Sequence, residues 1–402
     1  MYETLAIMAA FVFLYSLFDG ALERTPVNGA LVFTVFGLLF GPLGLGWLKL
    51  DVDAEGLRTL AELTLALVLF TDASNANLVV LKKSFYIPQR LLLIGLPLTI
   101  VLGFGVGLLL FDVLSLFEVA ILATMLAPTD AALGKAVVTD ERVPARIREG
   151  LNVESGLNDG ICVPILFVFL GLAAAAMGHG DDEIKPFMLL IEEICVGAGV
   201  GLGLTLLGAW AIKLIGARGW VTETWGQLLV PALALACFAL AQTLGGSGFI
   251  AAFAGGLLFG AIAKEHKSKL LLAAEGTGDT LGLITWVVFG AAVVGQSIDA
   301  FSWQVVFYSV LSLTVVRILP VYLVLNGMNL RTDEKLFMGW FGPRGLASIV
   351  FAVMVLNANL PGGDTIAMTV VCTILLSVIF HGISANPLVA ALGARTGRRT
   401  KI

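Results

Sequence analysis

The chain has 402 residues, of which 58% are hydrophobic and only 13% charged, about half the ~25% charged content of a soluble globular protein. With a mean hydropathy of +0.97 it carries too few charges to coat a water-facing surface, so it reads as an all-α polytopic membrane protein. A formal net charge of −5 and the lack of long basic runs exclude nucleic acid as a partner. Cys162, Cys195, Cys237 and Cys372 stand singly in apolar stretches without metal or redox spacing, and are expected to behave as small hydrophobes.

A bilayer core accepts about 20 apolar residues as helix. Such segments lie near 4–19, 27–48, 57–81, 90–111, 117–138, 148–177, 187–213, 225–244, 247–263, 277–295, 302–326, 335–357 and 364–391, about thirteen in all. The first has no basic residue before it and leads into further spans, so it reads as a transmembrane helix and not as a cleaved signal. Connections are short, and one transmembrane domain over 1–402 is expected. It divides into a first repeat at about 1–177, a linking helix at about 187–213 and a second repeat at about 225–391, with a short basic tail at 392–402.

Lysine and arginine orient these spans. Nineteen of the 24 fall on one set of alternate loops: Arg24; Lys82, Lys83 and Arg90; Lys135, Arg142, Arg146 and Arg148; Lys213 and Arg218; Lys264, Lys267 and Lys269; Arg331 and Lys335; and Arg395, Arg398, Arg399 and Lys401. The other loops hold only Lys49, Arg58 and Lys185, and Arg317 and Arg344 lie inside spans. The positive-inside rule places the C-terminus in the cytoplasm, and an odd span count places the N-terminus outside.

Gly-Leu-Leu-Phe-Gly occurs at 37–41 in the second span and at 256–260 in the ninth. An offset of seven spans makes the two copies face opposite ways, which points to inverted repeats, a transporter architecture with substrate bound near the midplane. Two spans, also seven apart, carry breaks: Ala127-Pro128-Thr129-Asp130 in the fifth and Gly342-Pro343-Arg344-Gly345 in the twelfth. Proline removes a backbone donor, and the carbonyls it frees need a cavity, an ion or a neighbour. Two broken, crossing helices are therefore expected.

A charge at mid-bilayer costs at least about 2.5–3.5 kcal/mol. Near the middle of spans stand Asp72, Asp130, Glu154, Asp159, Arg317 and Arg344, four acids against two bases. The excess of two negative charges demands protons or cations and points to a cation or proton pathway. In the sixth span, at 100° per residue, Glu154 and Asn158 share one face and Ser155 and Asp159 its neighbour. Ser155 and Asp159 thus offer a hydroxyl and a carboxylate one turn apart, which suits a hard cation. Glu154 is free to neutralise Arg317, and Asn158 to tie the helix to the opened backbone at Thr129 and Asp130.

Other polar features carry less. Gly276-Thr277-Gly278-Asp279 resembles the GxGD signature of intramembrane aspartyl proteases, but no Tyr-Asp partner motif occurs, and Asp279 is expected near the end of its span. His381 is expected to be a hydrogen-bonded packing histidine, with pH sensing as the alternative. Glu192, Glu193 and Lys135 are expected to snorkel to an interface. Glycines 197, 199, 201 and 203 permit close helix approach or dimerisation.

Taken in order along essentially the whole chain, Ala127–Asp130, Glu154–Asp159, Arg317 in Val-Val-Arg-Ile and Gly342–Gly345 make the sequence resemble the cation:proton antiporters of the NhaP and sodium/hydrogen-exchanger branch. The resemblance implies a homodimer in which a six-helix core domain moves against a dimerisation domain. It implies Asp159 as the ion- and proton-binding carboxylate, with Asp130, Ser155, the Thr129 backbone and Asp72 completing the site. Glu154–Arg317 would be a structural ion pair, Asn158–Thr129 a link between helices, and Arg344 the balance of charge at the second crossing. Asparagine at 158, and no lysine in the tenth span, mark the branch associated with electroneutral exchange. The expected activity is Na⁺ (or Li⁺) exchange for H⁺ in pH and sodium homeostasis, with K⁺/H⁺ exchange or a cation channel as alternatives. The expected protein is not an enzyme, uses no cofactor beyond the transported ions, meets membrane lipid, and resides in a prokaryotic inner membrane.

Overall fold

The computed structural model describes residues 2–22, 25, 29–48, 54–75, 86–130, 133–138, 140–177, 184–216, 218–263, 267–294 and 301–397. Among them every regular element is helical. In hydrocarbon a backbone has no water to bond, so a helix, which satisfies its N–H and C=O groups internally, is the direct solution.

In chain order the helices are α1 (Tyr2–Leu22), α2 (Gly29–Phe40), α3 (Ala54–Asn75), α4 (Tyr86–Leu110, with a π-helical turn at Leu91–Gly95), α5 (Leu116–Met125), α6 (Lys135–Val138), α7 (Ala145–Ala176) and α8 (Ile184–Gly216). They continue as α9 (Glu223–Thr243), α10 (Gly248–Ala263), α11 (Lys267–Val288, running on as a π-helix at Phe289–Val294), α12 (Trp303–Leu313), α13 (Val315–Val324), α14 (Thr332–Trp340), α15 (Leu346–Asn357) and α16 (Gly363–Gly397). Seven of the described helical stretches are long and apolar enough to cross a membrane: α4, α7, α9, α12 with α13, and most of α8, α11 and α16. Shorter apolar helices occupy α1, α2, α5, α10 and α15.

These helices overlie the apolar segments expected from sequence, with shifted boundaries. The second segment stops being helical at Phe40 and turns through Gly46 (φ +66°), a conformation glycine adopts without strain. The tenth starts at Lys267, ten residues early, since Lys, Leu, Ala and Glu are strong helix formers whether or not lipid surrounds them. The eleventh is interrupted at Thr314 (φ −111°, ψ −92°). The segment expected as a tail is helical through Gly397; 398–402 lie outside the described residues. So do Arg24, Lys49, Lys82, Lys83, Lys264 and the side chains of Arg58, Lys135, Lys185, Lys267 and Lys269, all used above to orient the spans.

The Gly-Leu-Leu-Phe-Gly copies share one packing role. Gly37 of α2 lies on the backbone of Val287 and Ala291 in α11, while Gly256 and Gly260 of α10 lie on the backbone of Phe70 and Ser74 in α3. Ser74 Oγ also donates to the Gly256 carbonyl at 3.0 Å. The α8 glycines divide: Gly197 and Gly201 rest on the backbone of Ser247 and Ala251, while Gly199 and Gly203 face open space.

A Cβ on Gly256 would stand 2.9 Å from Phe70 Cα. Gly256→Ala is therefore expected to destabilise the protein by about 1–3 kcal/mol, the usual cost of overpacking. Gly199→Ala should leave Tm unchanged or slightly raised, because alanine is the better helix former. Thermal unfolding of the two variants in detergent decides, and equal Tm values would show that α3 and α10 part without cost.

Candidate ion-binding site

Two helices break and cross. α5 ends at Met125 and helix resumes at Lys135; α14 ends at Trp340 and helix resumes at Leu346. Pro128 and Pro343 cause this locally, since each lacks an N–H and pushes the residue before it out of the α region. The two extended stretches meet where Asp130 N donates to the Pro343 carbonyl at 2.8 Å.

A broken helix leaves bare carbonyls at one new end and bare N–H groups at the other. Charged side chains from the breaks themselves meet both. Arg344 Nη1 donates to the carbonyls of Ala127 and, at 2.7 Å, of Pro128. Asp130 Oδ1 accepts from Leu133 N at 3.2 Å and Oδ2 from Leu346 N at 3.0 Å. The base thus sits where helix carbonyls end and the acid where N–H groups begin, the signs that helix dipoles favour. Ser348 Oγ donates to the Met125 carbonyl at 2.7 Å. Gly345 makes the crossing possible, because a Cβ there would lie 2.7 Å from Asp130 Cβ.

α7 presents its polar residues to this crossing. Glu154 and Arg317, each 1% exposed, form a two-pronged pair at 2.6 and 2.8 Å. Asn158 Nδ2 donates to Thr129 Oγ1 at 2.7 Å, and Thr129 Oγ1 shares a 2.9 Å hydrogen bond with Ser155 Oγ. Asp159 is buried, yet its Oδ1 has no hydrogen-bond partner. The charges of Asp130, Asp72 and Arg344 all bear on it. Asp72, half-buried on α3, has its backbone against Gly156 of α7, and Glu275 and Asp279 of α11 add negative charge around it.

Thr129, Asp130, Ser155, Asn158, Asp159 and Asp72 are thus gathered at the crossing. Glu154–Arg317 lies beside them, and Arg344 binds the first break from the second. Among the described residues no group of three His, Cys, Asp or Glu side chains has the arrangement of a metal centre. What the site offers is a carboxylate oxygen with hydroxyls and opened backbone nearby, a donor set for a hard cation in transit.

Other expected residues lie elsewhere. Asp279 is exposed, and because α11 starts at Lys267 it lies twelve residues, roughly 18 Å, from the helix start and not near its end. Glu192 is exposed and Glu193 half-buried on α8; the Lys135 side chain is outside the described residues. His381 is buried and bonded to α14. The sequence reading missed Glu118, which is 3% exposed and accepts from Ser115 N at 2.8 Å and Gly362 N at 2.6 Å. Ser115-x-x-Glu118, a capping-box pattern, was the available signal.

Interrupted helices crossing beside a buried carboxylate with one unpartnered oxygen, in an apolar chain whose described elements are all helical, form the architecture of a secondary transporter. The family model described as "Sodium/hydrogen exchanger, transmembrane" matches residues 7–391, and the chain belongs to that family. It is 23% identical to the K(+)/H(+) antiporter NhaP2 of Shewanella sp. (strain MR-4), over 90% of this chain and 62% of that protein. It is 26% identical to the Na(+)/H(+) antiporter ApNhaP of Aphanothece halophytica, over 91% of this chain and 71% of that one. The chain therefore spans less than two thirds of the length of the Shewanella relative. The fold matches that of the sodium proton antiporter MjNhaP1 from Methanocaldococcus jannaschii with a TM-score of 0.75 at 21% identity, covering 95% of this chain and 99% of the other.

Removing one partner of a buried pair strands the other charge, typically at 3–5 kcal/mol. Glu154→Ala is expected to lower stability by about that much, and Glu154→Leu with Arg317→Met to recover most of it. Scanning fluorimetry in detergent measures both; a Glu154→Ala protein as stable as the parent would refute the pairing.

Proposed function

We propose that the chain exchanges Na⁺ for H⁺ across a membrane by alternating access, one for one, with Asp159 as the shared binding carboxylate. The observation that carries this is the contrast between two acids of one helix. Glu154 is neutralised by Arg317, whereas Asp159 Oδ1 is buried with no hydrogen-bond partner. A bare carboxylate there is costly in an apolar barrier. A Na⁺ or a proton removes that cost, so the loaded or protonated site crosses and the bare anion does not. Obligatory exchange follows from this asymmetry.

Thr129, Ser155, Asp130 and Asp72 complete the cation site in this reading. The hydroxyls of Thr129 and Ser155 are already held 2.9 Å apart, and Asp130 brings a second carboxylate to the crossing. From Leu270 to Val294, α11 carries no basic residue, which supports electroneutral exchange because no second base faces the site to carry a further proton. The name of the Aphanothece relative supports Na⁺; that of the Shewanella relative favours K⁺ on the same scaffold as the second reading.

The same reading takes the chain as two inverted repeats within about thirteen spans. Gly37 of the second span packs on the tenth, and Gly256 of the ninth packs on the third. A two-fold relation with an offset of seven spans maps one contact onto the other, which supports the repeat. A homodimer in a prokaryotic inner membrane, C-terminus inside, completes the proposal.

The test is purified protein in vesicles containing a pH dye, given Na⁺ and then K⁺ outside, with and without a clamp on membrane potential. Na⁺-driven alkalinisation that ignores the clamp is the expected result. A response to K⁺ alone would change the substrate, and a response that follows the clamp would overturn the stoichiometry. Asp159→Asn should abolish exchange while leaving Tm within a few degrees; retained Na⁺-dependent exchange in that variant would refute the site.

A further inference from the structure

α16 passes behind the second break, and two of its side chains, one turn apart and fully buried, hold opposite ends of that break. Ser377 Oγ accepts from Arg344 N, inside the break, at 2.7 Å. His381 Nε2 lies 2.8 Å from the carbonyl of Trp340, the last residue of α14. The imidazole is further held between the rings of Trp340 and Phe341, at centroid distances of 5.2 and 6.3 Å. Trp340 Nε1 in turn donates to Ser384 Oγ, a third α16 side chain, at 2.8 Å.

The hydrogen-bond contacts fix one nitrogen of the ring. A carbonyl only accepts, so Nε2 must carry a hydrogen. Ser377 Oγ, already accepting from Arg344, has its own hydrogen to give, and His381 Nδ1 lies 3.3 Å away. In the neutral Nε2–H tautomer the bonds run head to tail: Arg344 N–H to Ser377 Oγ, Ser377 O–H to His381 Nδ1, and His381 Nε2–H to the Trp340 carbonyl. Nδ1 also lies 2.9 Å from the Ser377 carbonyl, so an imidazolium that gives Nδ1–H to that carbonyl keeps the same Nε2–H bond to Trp340.

The break held in this way carries Arg344, whose guanidinium bonds the Ala127 and Pro128 carbonyls immediately before Thr129 and Asp130. We propose that His381, as an Nε2–H donor and together with Ser377, is a positioning residue for exchange: it clamps the 341–345 segment and, through Arg344, fixes the 127–130 segment that supplies the cation's oxygen ligands. His381 touches neither cation nor proton site. The inference rests on the exchange reading above, and it assigns to α16 the task of keeping the ligand spacing constant as the site changes sides.

Reconstituted full-length protein, assayed for Na⁺-dependent proton movement, tests it with His381→Leu, His381→Gln, Ser377→Ala and His381→Leu/Ser377→Ala. Glutamine presents one donor and one acceptor as the neutral ring does. His381→Gln is expected to keep KM for Na⁺ within about twofold, and His381→Leu to raise it about tenfold or more, the fold-change of one buried hydrogen bond left unmade. Ser377→Ala, the smaller lesion, should raise KM in the same direction, and the double variant should be no worse than His381→Leu because the residues act as one unit. A parental KM in both His381→Leu and Ser377→Ala, a His381→Gln as defective as His381→Leu, or additive effects would each overturn the clamp. ¹⁵N-histidine spectra of the protein in nanodiscs, assigned by loss of a signal in His381→Gln, read the ring form independently of transport. A hydrogen on Nε2 is expected, and a ring protonated on Nδ1 alone overturns the proposal. If the parent protein moves protons with neither Na⁺ nor K⁺, the exchange reading fails, and the spectra still decide the hydrogen-bond order at the break.

Discussion

The crossing of two interrupted helices depends on a pair of opposite charges that each serve the other's backbone. Arg344, on the second break, bonds carbonyls of the first. Asp130, on the first, accepts N–H groups that open both resumed helices. In water either set of bare backbone groups would be solvated at little cost. Within an apolar layer each unsatisfied group costs several kcal/mol, so neither break is stable without the other's side chain. The two breaks form one structural object, and the polar residues of α7 are arranged around it.

That arrangement separates fixed polar chemistry from exchangeable chemistry. Asn158, Thr129 and Ser155 form a short hydrogen-bonded chain from α7 to the first break, and Glu154 is matched prong for prong by Arg317. These bonds hold a geometry, with Asn158 Oδ1 and Arg317 Nε left over. Asp159 is left with an unpartnered oxygen in the same neighbourhood, the feature on which the proposed exchange rests. A rigid surround matters here because discrimination among hard cations turns on cavity size and ligand spacing. The glycine contacts that seat α10 on α3 and α2 on α11 add rigidity of the same kind by bringing backbones together without side chains between them.

Much of this was legible in the sequence because membranes make polar residues conspicuous. Six charges inside apolar segments, two Pro-centred breaks and a repeated glycine pentapeptide stand out against a chain only 13% charged. Helical phase alone put Glu154 and Asp159 on different faces of α7. What stayed hidden was of two kinds. The helix end at Phe40 and the early helix from Lys267 are set by local turn chemistry and helix propensity, which hydropathy does not report. Glu118 sits where an apolar segment begins and was passed over, although folding brings Gly362 from a distant loop over its carboxylate. The same holds for two serines: Ser348 and Ser377 matter through single hydrogen bonds to a break, and nothing in their sequence neighbours marks that.

Glu154 and Asp159 carry the same functional group five residues apart on one helix, yet one is committed and the other available. At 100° per residue they point about 140° apart, and the difference in partner follows from what each direction meets. Glu154 faces α13, which brings Arg317. Asp159 faces a region where Asp130 and Asp72 add negative charge and where no donor reaches its Oδ1, although Arg344 Nε and Nη2 are also left without partners. Exchanging the two roles would take more than exchanging two side chains, because α13 would have to lie on the other face of α7. The availability of Asp159 is thus a property of helix placement. It is fixed by the same crossing that needs Asp130 and Arg344 to exist at all.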